Sequence, residues 1–271
     1  MNNVLTFIIP VRHQQNSKNW ALLKKNLTDT LRSISNQNAT SWKGVVIANI
    51  GADLPVLPPE FDVKWVDFPP NELHSQGNAD KEVFYDAFRV DKGRRVLAGM
   101  LHAGEMGHVM IVDDDDFVSS RRTQFVAANP SANGWFIKHG YVWADGGQWL
   151  YQSDDFSHLC GSSHIIRADL YNLPSSQANA DDSYIRKVLG SHMYLHGHLD
   201  SSGTPLAALP FFGAVYRIGH PGAHSRSNGI FRQCIIKRDL LKQPWRLFTR
   251  IARLRMRNTA LNQEYFGLPE G

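Results

Sequence analysis

The sequence predicts an α/β fold: a mostly parallel central sheet flanked by helices, then a smaller mixed half and C-terminal helices. Three observations predict it. Short apolar runs rich in β-branched residues recur up to residue 112, segments with helical periodicity separate them, and no internal repeat or low-complexity tract interrupts the alternation. Strand–helix–strand order of this kind builds right-handed crossovers and therefore parallel strands.

Residues 4–9 read as a buried first strand. Ser17 stands where a helix cap is expected, before Trp20, Leu23, Leu27, Leu31 and Ile34 at helical spacing. Residues 44–48 and 63–68 are a second and third strand, joined through the Pro-rich stretch 55–59. A helix is expected to start around Lys92-Gly93-Arg94-Arg95, with Val96, Met100 and Ala103 on one face and Gly107 as its stop. Residues 108–112 are a fourth strand that runs straight into Asp113-Asp114-Asp115-Asp116. From about residue 134 the pattern changes. Residues 135–138, 141–143 and 148–151 read as short strands joined by turns at His139-Gly140 and Gly146-Gly147, 163–167 as another strand and 181–189 as a short helix. The expected organisation is a catalytic unit 1–230, with a nucleotide half to about 118 and an acceptor half from 119, followed by a basic segment 231–271.

With 271 residues, 42% hydrophobic and 20% charged, the chain has material for a sizeable core. A net charge of +4 does not call for nucleic acid. Cys160 and Cys234 lie in unrelated contexts, which argues against a Cys-based zinc site or a disulfide framework. His192 and His196 stand four apart, but residue 193 is Met, so the zinc-protease pattern is missing. Pro10 and Arg12 cut the first apolar run short, so it reads as a strand rather than a signal peptide, and no run is long enough to span a bilayer. A cytoplasmic protein is the expectation.

The chemistry concentrates at strand ends. In parallel sheets, ligands bind beyond the C-terminal ends of the strands, and Pro10-Val11-Arg12, Asn49 and the four aspartates all fall there. Adjacent carboxylates repel one another unless a cation neutralises them. Hard divalent cations, Mn²⁺ or Mg²⁺, accept carboxylate oxygens and leave places for phosphate oxygens. Asp113, Asp115 and Asp116 are therefore candidate metal ligands, and Asp113 and Asp114 candidate contacts to a donor nucleotide. An extended backbone would place Asp113 and Asp115 on one side, Asp114 and Asp116 on the other.

Four stretches carry a resemblance to the GT-A glycosyltransferases, and within them to the inverting glycosyltransferase family 2. They are Phe7-Ile8-Ile9-Pro10-Val11-Arg12, then Thr30-Leu31-Arg32-Ser33-Ile34-Ser35-Asn36-Gln37, the unit from Lys92-Gly93-Arg94 through Ala103-Gly104-Glu105-Met106-Gly107 to the four aspartates, and Ala180-Asp181-Asp182-Ser183-Tyr184. One departure is the segment after the second strand, Ala48-Asn49-Ile50-Gly51, where the family usually has acidic residues. The resemblance implies a Rossmann-like GT-A fold and a nucleotide-sugar donor, UDP-sugars foremost. It also implies an Asp182 base with Asp181 beside it, and a late histidine closing the metal site, His220 ahead of His224. Pro10, Val11, Arg12, Asn49, Lys92 and Arg94 are then donor contacts, Arg94 and Lys92 as phosphate binders. Trp143, Trp149 and Gly161 fall in the acceptor half, where aromatic faces stack on sugar rings.

Between 231 and 257, Lys and Arg are many and Asp239 is the only acid, with Trp245, Phe248, Ile251 and Leu254 interspersed. Pro244 separates two expected helices, and a basic helix with such an apolar face suits an anionic membrane surface. A glycan or lipid-linked acceptor for cell-surface polysaccharide or lipopolysaccharide fits that placement. Two other readings share the acidic cluster. One is a nucleotidyltransferase acting on a sugar phosphate, although no Gly-rich loop follows the first strand. The other is a non-catalytic sugar- or membrane-binding module.

Overall fold

The computed structural model describes residues 3–73, 80–220, 229–230, 234–235 and 245–268. Its strands and helices are, in chain order, β1 (Leu5–Pro10), α1 (Trp20–Ser35), β2 (Trp42–Asn49), β3 (Phe61–Val66), α2 (Lys81–Ala103), β4 (His108–Ile111), β5 (Phe117–Val118), α3 (Arg122–Ala127), β6 (Gly134–Phe136), β7 (Gly140–Ala144), β8 (Trp149–Ser153), α4 (Phe156–Leu159), β9 (His164–Arg167), α5 (Asp182–Tyr184), α6 (His192–Ser201), β10 (Ala207–Ala208), β11 (Ala214–Ile218), α7 (Trp245–Ile251), β12 (Leu254–Met256) and α8 (Thr259–Phe266).

The main sheet has seven strands in the order β10-β6-β9-β4-β1-β2-β3. β4, β1, β2 and β3 are all parallel, while β9 runs antiparallel between β4 and β6. Side chains alternate across β1, and both faces are covered, as a parallel sheet requires. Leu5, Phe7 and Ile9 pack with Leu23, Leu27, Leu31 and Ile34 of α1. Ile8 points the other way, to Val96, Leu97 and Met100 of α2.

Two helix starts differ from the expectation. α1 is capped by Asn19, whose side chain accepts the Leu22 N–H at 3.0 Å, and not by Ser17. α2 starts at Lys81, capped by Asp80, well ahead of Lys92. Gly93 had the look of a helix start because glycine is unfavourable inside helices. It sits mid-helix because the chain packed on it comes so close: a Cβ there would stand 2.2 Å from the Ile185 carbonyl oxygen. Ile185 opens a π-helical turn, Ile185–Leu189, so the short helix expected over 181–189 is one α turn followed by a π turn.

β6 does not form a hairpin with β7. It joins the main sheet beside β9, while β7 and β8 belong to a second, five-stranded sheet, β12-β8-β7-β11-β5. The chain crosses between sheets at residues 137–139, so the two halves read from sequence interleave in space. The tail also differs. α7 ends at Ile251, and Leu254–Met256 add a strand antiparallel to β8 instead of continuing a helix to residue 257. Tyr265 and Phe266 of α8 then bury against Phe117, Tyr141 and Trp143.

Candidate active site

β1 and β4 lie side by side, and their C-terminal ends open into a cavity of about 420 Å³. Pro10 and Arg12 line it after β1, and Asp113, Asp114 and Asp115 after β4. The four aspartates are not extended. The Asp116 N–H bonds the Asp113 carbonyl at 3.3 Å, closing a turn that sends the side chains different ways.

Each carboxylate has its own environment. Asp113 accepts from the Lys92 ammonium; burial works against that ammonium, but Asp113 beside it more than offsets this and its pKa is raised. Asp114 is buried, and burial pushes it up to about 6 against the pull of Arg12, whose guanidinium lies 3.8 Å away. Its Oδ2 has no hydrogen-bond partner. Asp115 faces His220, with Nε2 to Oδ2 at 2.9 Å. Asp116 is fully buried and held by Ser162 Oγ at 2.6 Å, Cys160 Sγ at 3.0 Å and the Arg217 N–H at 3.3 Å. Burial, then Asp115 and Asp113, push Asp116 well above the carboxylate range, and burial with Asp116 keeps Cys160 a thiol. Asp116 is thereby corrected from metal ligand to structural anchor, and Asp113 is already neutralised by Lys92.

Cations complete the wall: Arg12, Arg89, Lys92, Arg95 and Arg217 line the cavity with Asp91 and the three aspartates of the turn. Arg95 is held by Asp91 at 3.0 Å and by Asn49 Oδ1 at 2.6 Å. Asn49 is buried and does not line the cavity; it positions Arg95, which corrects its reading as a donor contact. Val11 is fully buried in the core and is likewise corrected. Gly161 closes on the Lys92–Asp113 pair, since a Cβ there would stand 2.5 Å from Asp113 Oδ2 and 2.9 Å from Lys92 Nζ.

Other sequence candidates lie elsewhere. Arg94 and Asp182 face one another at 3.5 Å on a separate depression with Phe68, Gln177 and Ile185. The Asp182 side chain is 78% exposed, and Asp181 caps α5 by accepting the N–H groups of Ser183 and Tyr184. Trp143 is buried against Phe117 and Phe266, with its indole N–H on the Gly147 carbonyl, so it is core and not an acceptor platform. Trp149 is partly exposed on β8, next to β12, away from the cavity. His224 lies outside the described residues, as does most of 231–244. Sequence reading missed Arg217, Asp91, Arg95, Tyr216, His158 and the Ser162–Cys160 grip. None has a local signal, because each acts across a long sequence separation or from within an ordinary helix or strand.

Behind the cavity, His164 and His192 share a smaller pocket, and both Nε2 atoms are buried without a partner. Burial, then neighbouring histidines, push His164 down to about 3; burial, then Lys92, push His192 down to about 4. Both are neutral at neutral pH. The unfolded chain takes up these protons near 6.5 and the folded chain only near 4 and 3, so stability present above 6.5 is lost as pH falls through that window. Each ring is expected to contribute a slope of about 1.4 kcal/mol per pH unit. Urea denaturation across the window measures it, and His164→Gln should remove one ring's share; an unchanged slope contradicts this.

No protein-family model and no curated protein matches the chain. Among solved structures it is similar to TarS of S. aureus. The 1–349 fragment in complex with UDP aligns at TM-score 0.48 and 13% identity, covering 80% of this chain and 61% of that one. The complex with UDP-GlcNAc aligns at 0.44 and 14%, covering 97% and 70%. Rv0371C of Mycobacterium tuberculosis H37Rv, in complex with manganese, aligns at 0.36 and 9%, covering 80% and 92%. The chain spans about 60% of TarS 1–349 as first aligned. At identities and scores this low, the functional reading rests on the chain's own cleft.

Proposed function

We propose that this chain is a GT-A glycosyltransferase that moves a sugar from a nucleotide-sugar, UDP-sugars first, to a glycan or lipid-linked acceptor of cell-surface polysaccharide or lipopolysaccharide. The observation that carries the reading is the division of labour at the end of β4. One aspartate is buried as an anchor, one is neutralised by Lys92, and Asp114 and Asp115 are presented to a cavity walled by arginines. A cavity with both signs of charge suits a diphosphate, with cations for its oxygens and carboxylates for a bridging ion.

The donor set fits a divalent ion held jointly with the ligand. Asp115 and His220 stand together and the Asp114 Oδ2 is unpartnered, while no group of three or more His, Cys, Asp or Glu side chains forms a closed metal site among the described residues. Asp115 and His220 would hold the ion, with Asp114 beside them; when bound it supplies charge compensation for the departing diphosphate. Arg12 and Lys92 would bind and orient phosphate oxygens, with Arg95 and Arg217, both 1% exposed and already paired with aspartates, adding positive charge behind them. Burial, then Asp116 and Cys160, raise the Tyr216 phenol, so it stays a neutral donor in the cavity. A single displacement at the anomeric carbon inverts its configuration. A screen of UDP-, GDP-, CMP- and dTDP-sugars for nucleotide release, with and without Mn²⁺, tests the reading. Metal-dependent release from one donor class is expected; no release from any donor counts against it.

Peripheral attachment to the inner face of the plasma membrane is part of the proposal. No helix among the described residues is long and apolar enough to cross a membrane. Trp245, Phe248 and Ile251 of α7 are exposed beside Arg246, Arg250 and Arg253. Phe248→Glu with Ile251→Glu is expected to weaken sedimentation with phosphatidylglycerol-containing liposomes by about tenfold; unchanged sedimentation dismisses this surface.

A further inference from the structure

The donor cavity borders a second one of about 600 Å³, lined by Tyr151, Asp155, Trp245 and Arg250 among others, and Leu159 belongs to both walls. One side-chain pair bridges them. His158 lines the donor cavity, Asp155 lines the second, and His158 Nδ1 is hydrogen-bonded to Asp155 Oδ1. An Nδ1–H donated to the carboxylate favours the tautomer whose Nε2 lone pair is left to accept a proton.

The segment carrying His158 is tied to the acidic turn. Two residues on, Cys160 bonds Asp116; Ser162 bonds Asp116 and accepts the Asp113 N–H at 2.8 Å; Gly161 abuts Lys92 and Asp113 between them. The backbone that carries His158 is therefore anchored beside the site proposed for the diphosphate, and the His158 ring lines that cavity while remaining 65% exposed.

Elimination points the same way. Three carboxylates of the donor wall are engaged with basic partners, Asp91 with Arg95, Asp113 with Lys92 and Asp115 with His220, and Asp114, buried 3.8 Å from Arg12, belongs to the proposed ion site. His192, the other histidine of that wall, is a weak proton acceptor because burial lowers it to about 4. Asp182, the base implied by resemblance, faces a different depression.

We infer that a saccharide acceptor occupies the second cavity, ring faces against Tyr151 and Trp245, and that His158 takes its proton while Asp155 positions the imidazole. This deepens the glycosyltransferase reading and rests on it. The acceptor O–H proton passes to Nε2, the acceptor oxygen bonds the anomeric carbon, and the bond from that carbon to the diphosphate breaks with its electron pair going to the leaving oxygen. The imidazolium then returns its proton to solvent.

The test compares wild type, His158→Gln, His158→Gly, Asp155→Asn and Asp182→Asn. The readout is UDP release from UDP-glucose, UDP-galactose and UDP-GlcNAc with n-octyl β-D-galactoside present, which reports transfer to glycoside or water; UDP affinity is measured calorimetrically. Expected are a loss of about 100-fold in kcat for His158→Gln and about 10-fold for Asp155→Asn, UDP affinity within about threefold, and partial rescue of His158→Gly by imidazole. Wild-type turnover by His158→Gln, or loss confined to Asp182→Asn, overturns the assignment while leaving the glycosyltransferase reading in place. A wild-type chain that neither binds UDP nor releases it from these donors overturns both.

Discussion

Asp115→Asn is expected to lower nucleotide-sugar turnover by at least about 100-fold, a barrier increase of about 2.7 kcal/mol, with the fold intact. The side chain is 14% exposed, faces the cavity and pairs with His220, so its replacement by an isosteric amide leaves the core untouched. What is lost is the charge that an ion shared with a diphosphate needs. Asp116→Asn is the informative comparison. That carboxyl is fully buried, raised well above its usual range, and satisfied by Ser162, Cys160 and the Arg217 N–H. Its substitution should register in stability rather than in metal dependence. Steady-state kinetics over a range of Mn²⁺ concentrations, with urea denaturation of both variants, separate the two roles. Equal kinetic defects would contradict the division of labour.

Arg217→Met is expected to destabilise the protein by about 2–4 kcal/mol. The Arg217 guanidinium is 1% exposed and bonds Asp145 at 2.6 Å and Asp29 at 3.2 Å. It also lies 5.5 Å from the Phe117 ring centre and 5.4 Å from that of Trp143. Methionine keeps much of the volume but leaves two carboxylates facing a cation that is gone. Both retain some access to solvent, which keeps the cost below that of a wholly buried orphan charge. Arg217 also joins α1, through Asp29, to β11 and to the Asp116 anchor, so the cavity wall should loosen with it. Denaturant midpoints measure the loss; a change under about 0.5 kcal/mol would mean the network contributes little.

The strands around the cleft were legible in the amino-acid order because their apolar runs are short, β-branched and bounded by turn residues. β1, β2, β3 and β4 fall within one or two residues of their expected places. The four aspartates were legible as a site because they follow a buried strand. What each of them does was not. Asp116 differs from Asp115 only through Ser162, Cys160 and Arg217, contributed from 44 to 101 positions away. Sheet membership was hidden for a similar reason: β6 and β7 are three residues apart, and periodicity does not reveal which partner each finds. Gly93 and Val11 misled in instructive ways. A glycine of the kind that is unfavourable inside helices here admits a crossing backbone, and a residue in the turn after β1 faces the core because β-strand alternation continues through it.

Titration calorimetry of UDP into the wild-type protein, with and without Mn²⁺, bears most directly on the cleft. Binding that Mn²⁺ tightens at least about tenfold is expected, with that gain abolished in Asp115→Asn. No heat in either condition, or the same affinity with and without the ion, would contradict it.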